Sequence, residues 1–421
     1  MTRKRIALCI GLLLILAVPL VCQTPIAITN ARILTVSNGV IEDGTVLIEG
    51  GKITGVGTNV KIPAGTEIID GRGKFVMPGI IDAGDQLGLV EIPFVHVTDD
   101  SNETTDPVHP ELRVLDALNS QSENIRVART AGITNAVVTP GGANVFAGQS
   151  ALIQLDGDSV SQMVVKSPAA LHINLGEESK ATYGEKDRAP KTRMGTMAII
   201  RQAFLKAQHY QLERTSAPQS KDRDLKMEAL VAALDRDIPV VIHANRVGDI
   251  DSALRFADEF SLRIVIAGGA GAWRLAAELA KRNVPVIVGP VFQAPVRSED
   301  IDMRLDNAAL LNRAGVKIAV QTASVNGVRD LWFAVGYLIA NGLPPDLALA
   351  AVTKNPAEIF GIQDRLGSIA VRRDADLLVL DGEPFLVKTH VLTVLIGGKK
   401  VELTNHQTEL FRIYKEKYRI Q

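Results

Sequence analysis

Between Phe75 and Val320 the chain repeats one pattern, a short run of apolar residues followed by a longer, more polar stretch. The runs are Phe75–Ile81, Ile133–Val138, Ala169–Leu175, Ile238–Ile242, Leu262–Ala267, Val284–Val288 and Val316–Val320. A strand apolar on both faces must be covered on both faces, which is the condition of a parallel sheet flanked by helices. Ile250–Phe260, Trp273–Lys281 and Asn307–Arg313 carry helical spacing between the later runs. Over roughly 250 residues, the usual span of an eight-stranded barrel, one strand is missing from this set. Ala151–Leu155 is the candidate for it, and the polar stretch Leu212–Asp224 reads as a mobile excursion. The expected class is α/β, a (β/α)8 TIM-like barrel.

Both ends have a different texture. Short β-runs punctuated by glycine occur at Ala27–Val36, Gly44–Glu49, Lys52–Val56 and Glu67–Ile69, and again at Ala375–Leu380, Val391–Ile396 and Lys399–Val401. Neither set is large enough to stand alone. Together they predict a small β-sandwich built from both termini, residues 23–74 and 366–405, around a barrel at 75–365. The tail, 406–421, mixes aromatic and basic residues over Phe411–Arg419, as expected of a terminal helix packed on the barrel.

Residues 1–22 read as a signal peptide: Arg3, Lys4 and Arg5 precede an apolar run from Ile6 to Val21, short for a spanning helix and broken by Pro19. Cleavage is expected near Cys22–Gln23, leaving an exported protein, periplasmic or secreted, with no membrane span. A lipid anchor on Cys22 is the rival reading, although Val21 stands where lipoprotein signals place Gly or Ala. Cys9 and Cys22 are the only cysteines, so the mature chain would hold no disulfide and no thiolate ligand. Lys+Arg total 46 and Asp+Glu 47, a balance that supplies no field for nucleic acid.

In a barrel of this kind the chemistry lies at the carboxyl ends of the strands. The first run closes on Met77-Pro78-Gly79-Ile80-Ile81-Asp82, and the distal sheet is entered through Thr353-Lys354-Asn355-Pro356-Ala357, Gly367-Ser368-Ile369 and Asp374-Ala375-Asp376-Leu377. These motifs, in this order, resemble the amidohydrolase superfamily, imidazolonepropionase-like members included, over roughly Ile26 to Val401. The resemblance implies hydrolysis of non-peptide, cyclic amide-like carbon–nitrogen bonds by water activated on zinc or another divalent metal.

The residues at the family's metal positions depart from that pattern. Two histidines at i and i+2 on the first strand would share a face and grip one ion. Gly84 and Gln86 stand there instead. The sixth strand runs into Gly268 where a histidine is expected, and Ala323 is the equivalent of the aspartate after the eighth strand. His243, closing the fifth strand, is retained and is the candidate metal ligand and catalytic residue. His172 and Glu177 are the nearest counterparts of the fourth-strand ligand, although His172, alternating with apolar neighbours on a strand, reads more readily as a satisfied interior histidine than as a ligand. Any metal is therefore expected to be weakly bound or absent, and whether the chain is an enzyme stays open. Two functions follow: a hydrolase with an altered site, or a non-catalytic relative that binds a small amide-like molecule or pairs with a second copy or an active relative. Asp99, Asp100, Glu103 and Asp106 form an acidic loop, either a hard-cation site or a solvated surface.

Overall fold

The computed structural model describes residues 24–216 and 222–420, so the expected signal peptide lies outside the described residues. Eight strands form the barrel sheet: Ile80–Asp85, Ile133–Val138, Phe146–Gln154, Val164–Asn174, Val240–Ala244, Ile264–Gly268, Val286–Val288 and Ile318–Val320, adjacent in chain order. The first and eighth strands meet just beyond their ends, where Ala323 N–H donates to Gly84 O at 2.9 Å and Gln86 N–H to Ser324 O at 3.1 Å. The sheet is thereby nearly closed.

The third strand departs from the expected repeat. It is longer than Ala151–Leu155 and runs antiparallel to both neighbours, with Val137 opposite Leu152 and Leu171 opposite Gln149. A seven-residue loop enters it in place of a crossover helix, and an antiparallel neighbour needs none. The remaining strand pairs are parallel.

Small and branched side chains fill the barrel, among them Ile81, Val137, Leu152, Val241, Val265 and Ile287, with Phe360 packed into the same cluster. Helices cover its outside. Phe204, from the helix Arg193–Ser216, is fully buried and packs against Phe146, Phe256 and Phe260 at centroid distances of 5.9, 5.3 and 5.4 Å. Burial of one such ring contributes about 1.5–3 kcal/mol relative to leaving it in water. The expected excursion at Leu212–Asp224 is in part the last turn of this helix. Asp224 caps the next helix, Leu225–Leu234, accepting from the amides of Lys226 and Met227.

The second sheet draws strands from both ends of the described chain. Its order is Lys399–Lys400, Val391–Ile396, Leu377–Leu380, Phe75–Pro78, Ile26–Leu34, Val40–Glu49 and Lys52–Gly57, with Glu67–Asp70 also paired to Ile26–Leu34. It is one branched hydrogen-bonded array around Ile28, Ile33, Ile48, Ile53, Leu377 and Leu395, where two stacked sheets were expected.

The run Phe75–Ile81 is two strands. Phe75–Pro78 belongs to the small sheet and Ile80–Asp85 to the barrel, so the boundary expected at residue 75 falls at Gly79. A side chain cannot be accommodated there, because a Cβ on Gly79 would lie 2.1 Å from Thr134 Oγ1. The Gly79 amide donates to the carbonyl of Asp376, whose buried carboxylate accepts from Gly397 N–H at 2.7 Å. The Pro-Gly and Asp-Ala-Asp-Leu motifs thus meet where the two sheets join.

The tail differs from expectation. His406–Tyr418 is helical, capped by Asn405 and tied to Glu123 through the His406 amide, but none of its side chains is buried. Among the described residues no helix is long and apolar enough to cross a membrane.

Candidate functional site

Parallel strands bring their last residues to one rim, and a cavity of about 420 Å³ opens there. Gln86 reaches it from the first strand, Asn174 from the fourth, His243 and Asn245 from the fifth, Gly268 from the sixth, and Gln321 and Ala323 from the eighth. Four of the positions singled out in the sequence, Gln86, His243, Gly268 and Ala323, therefore converge. Gly84 borders the same space, since a Cβ there would lie 2.5 Å from Gln321 Oε1.

His172 and His243 are neighbours through register. Val241 pairs with His172 and His243 with Asn174 across the fourth and fifth strands, which sets the two imidazoles one above the other. His172 Nδ1 lies 3.1 Å from His243 Nε2. Burial holds the His243 imidazole down at about 4 and drives His172, which also faces His243, well below its ordinary value. Both rings are neutral at pH 7, so one of the two facing nitrogens carries the proton and donates it to the other. His172 is 1% exposed and its Nε2 has no partner among the described residues, so the ring is interior but not fully hydrogen-bonded.

Glu177 does not reach the cavity. It accepts from the Ser298 hydroxyl and stands 3.7 Å from Arg193. Glu178 lines the cavity instead, because successive residues of the helix Glu177–Gly184 point about 100° apart. The loop after the seventh strand adds Gln293, Arg297, Glu299 and Asp300. Arg297 donates to Glu178 at 3.0 Å, and Asn245 Nδ2 to Asp300 Oδ1 at 3.1 Å. Two glycines make room for the acids: a Cβ on Gly142 would lie 2.7 Å from Glu178 Oε2, and one on Gly176 2.9 Å from Glu299 Oε2. Sequence reasoning passed over Asn174, Asn245, Glu299 and Asp300. The position of the two asparagines at strand ends was the available signal.

The acidic loop does not assemble into a cation site. Asp99 accepts from Ser101, Glu103 from the Thr105 amide and Asp106 from the Val108 amide, each closing a local turn. Of the four, only Asp99 lines the cavity. Among the described residues no three His, Cys, Asp or Glu side chains are grouped closely enough to hold a metal ion.

Beneath the rim, Asp82 is fully buried and accepts from the Gly84 amide at 3.1 Å, the Thr322 amide at 3.1 Å and the Thr322 hydroxyl at 2.5 Å. It binds the first strand to the eighth. Burial raises its carboxyl to about 7 against these three donors, and Asp85 beside it is raised further by burial and by Asp82.

Residues 130–401 match the model of the amidohydrolase family. The amidohydrolase tasK of Hapsidospora irregularis is 28% identical over 388 residues, which is 84% of this chain and 39% of that much longer protein. An imidazolonepropionase of Mesorhizobium japonicum is 24% identical across 84% of this chain and 91% of its own length. The crystal structure of an amidohydrolase from Thermotoga maritima superposes with a TM-score of 0.86 at 36% identity, covering 90% of this chain and 99% of that one. The barrel, the junction motifs and the family match over most of its length agree: this chain belongs to the amidohydrolase family, whose members hydrolyse carbon–nitrogen bonds.

Proposed function

We propose that this protein is a small-molecule-binding amidohydrolase relative that does not use the family's metal-activated water. The observation behind the reading is the donor set at the strand ends. Catalytic zinc takes three protein ligands and an open position. The strand ends instead bring to the cavity one imidazole, His243, whose Nε2 faces His172, together with the neutral amides of Gln86, Asn174, Asn245 and Gln321. The loop carboxylates Asp99, Glu178, Glu299 and Asp300 that share the lining do not group with His243 into a metal-holding set among the described residues. Such a set does not fit zinc. It does fit a ligand rich in amide-like donors and acceptors, because carboxamides offer both in a fixed plane. The side-chain amides of Gln86 and Gln293 have no hydrogen-bond partner among the described residues and are free to meet such a ligand.

The purified protein is expected to keep well under one equivalent of zinc through dialysis, read by elemental mass spectrometry. Added zinc should leave the melting temperature unchanged, since only ligands of the folded state raise it. A stoichiometric metal that survives dialysis would overturn the reading in favour of a metal hydrolase.

Export is part of the same proposal and rests on the basic head and apolar run of residues 1–22. Intact-mass measurement of protein from an exporting host is expected to show loss of about the first 22 residues. Soluble protein that retains Met1 would refute it.

A further inference from the structure

The rim of the cavity carries negative charge that its surroundings do not balance. Asp99, Glu178, Glu299 and Asp300 line it, against the single cation Arg297. The imidazole of His243 is neutral and adds nothing. Glu299 is 3% exposed and Asp300 2% exposed. Glu299 accepts from the Glu177 amide at 2.7 Å and shares Arg297, 3.7 Å away, with Glu178, while Asp300 is held by neutral donors alone, Asn245 and the Arg297 backbone amide. Buried carboxylates held by neutral donors are stabilised by any cation that can reach them, and low-dielectric walls concentrate the field.

A side pocket adds a second, independent observation. About 70 Å³ in volume, it opens beside the mouth and shares Asn245, Gly268 and Asp300 with it. Its walls include Val288, Val291, Met303 and Leu338, and it is also lined by Asn307 and by Arg304, whose guanidinium is matched by Asp306 at 2.8 and 2.9 Å and so leaves the charge of Asp300 uncompensated by it. Asn307 is 9% exposed, and its Nδ2 donates to Gly269 O at 3.0 Å. That bond fixes the amide orientation and leaves Oδ1 buried with no partner among the described residues. An unused buried acceptor costs free energy that a donor from a ligand would recover.

We propose that the side pocket recognises the head of a small organic cation, an amidinium or primary ammonium, with Asp300 supplying the charge and Asn307 Oδ1 the acceptor. The remainder of the ligand then extends along the mouth past His243 and Gln86. The inference rests on the mouth being a small-molecule site and goes further by naming the class of molecule. A planar amidinium directs N–H donors in two directions, matching a carboxylate on one side and a carboxamide oxygen on the other.

Three probes of one shape and different charge test it on the full mature chain: acetamidinium, acetamide and acetate, followed by ligand-observed NMR and titration calorimetry. Acetamidinium is expected to bind at about 1 mM, the range open to four heavy atoms in a good pocket. Acetamide should bind at least about tenfold more weakly, as loss of one charge–charge contact in a partly desolvated site implies. Acetate should not bind. Asp300→Asn is expected to abolish the preference for the cation. Val291→Phe, which fills the side pocket without touching the buried acid, should remove acetamidinium binding from a protein with unchanged circular dichroism.

Equal binding of acetamide and acetamidinium would overturn the charge selection while leaving the mouth as a small-molecule site. Acetamidinium binding unchanged in Val291→Phe would overturn the side pocket as its location. Absence of binding by all three probes would overturn the inference, whereas the metal reading is judged separately by the zinc content of the parent.

Discussion

The triple variant Gly84→His, Gln86→His, Ala323→Asp is expected to bind zinc at about micromolar concentration, where the parent binds none measurably. Micromolar affinity corresponds to about 8 kcal/mol, modest for zinc, and two features of the site hold it there. His243 must turn its Nε2 away from His172, 3.1 Å distant, before it can serve as a ligand. The new imidazoles also lack the partners that orient ligating histidines, an absence that typically costs about 10–100-fold in affinity. The backbone itself accepts these changes. Ala323 already sits at φ +48°, a left-handed conformation that aspartate adopts more readily than most residues. The atom that a Gly84 Cβ would meet is Oε1, the far end of the buried Gln321 side chain, which must swing aside and give up its 3.1 Å bond from Nε2 to Gly289 O.

Gly268→His is a different case, although the sequence places it in the same ligand set. Gly268 has φ +83°, and a Cβ there would lie 2.4 Å from Asn245 Oδ1. A left-handed non-glycine residue costs on the order of 1–3 kcal/mol. Adding this fourth change is therefore expected to lower the melting temperature of the triple variant without tightening zinc. Calorimetric titration of parent, triple and quadruple variants decides the matter. Equal, negligible zinc binding by a well-folded triple variant would mean that side chains at positions 84, 86 and 323, though on the same rim, do not come within coordinating reach of His243.

A second large effect is expected at Asp82. Its carboxyl is raised by burial from an ordinary 3.8 to about 7. The folded state then holds a proton that the unfolded chain has released, so Asp82 stabilises the fold fully below pH 3.8, and that contribution is lost as pH rises through 7. Asp82→Asn keeps an acceptor for the Gly84 and Thr322 amides but cannot ionise. Relative to this variant, the parent is expected to lose roughly 3 kcal/mol of stability between about pH 5 and pH 8. The depressed histidines act with the opposite sign, losing stability as pH falls below 6.5, but they are common to both proteins and cancel in the difference. Urea denaturation of the pair across this range is the measurement. Parallel pH curves would show that Asp82 is ionised in the folded protein throughout.

How much of this was legible beforehand differs by level. The apolar runs of the barrel were readable because a strand covered on both faces has no polar phase to conceal it. The junction motifs were readable because they combine glycine, proline and aspartate where backbone geometry leaves little choice, as at Gly79 against Thr134. His243, Gln86, Gly268 and Ala323 were correctly brought to one rim, since the end of a parallel strand implies its place in the barrel.

Direction, rotation and depth were decided only by tertiary structure. Nothing in the residues of Phe146–Gln154 says that this strand runs against its neighbours, because an apolar strand reads alike in either direction. The choice between Glu177 and Glu178 turned on the rotation of one helix against the loop bearing Ser298 and Arg297. His172 meets His243 through the register of two strands whose side chains are separated by 71 positions in the chain. The negative rim is likewise assembled from segments remote in sequence. What the sequence by itself determined was the family and the end of the barrel where the site lies, because both follow from local pattern. Which side chains face one another there, and hence what the site can bind, depended on long-range packing that local pattern does not encode.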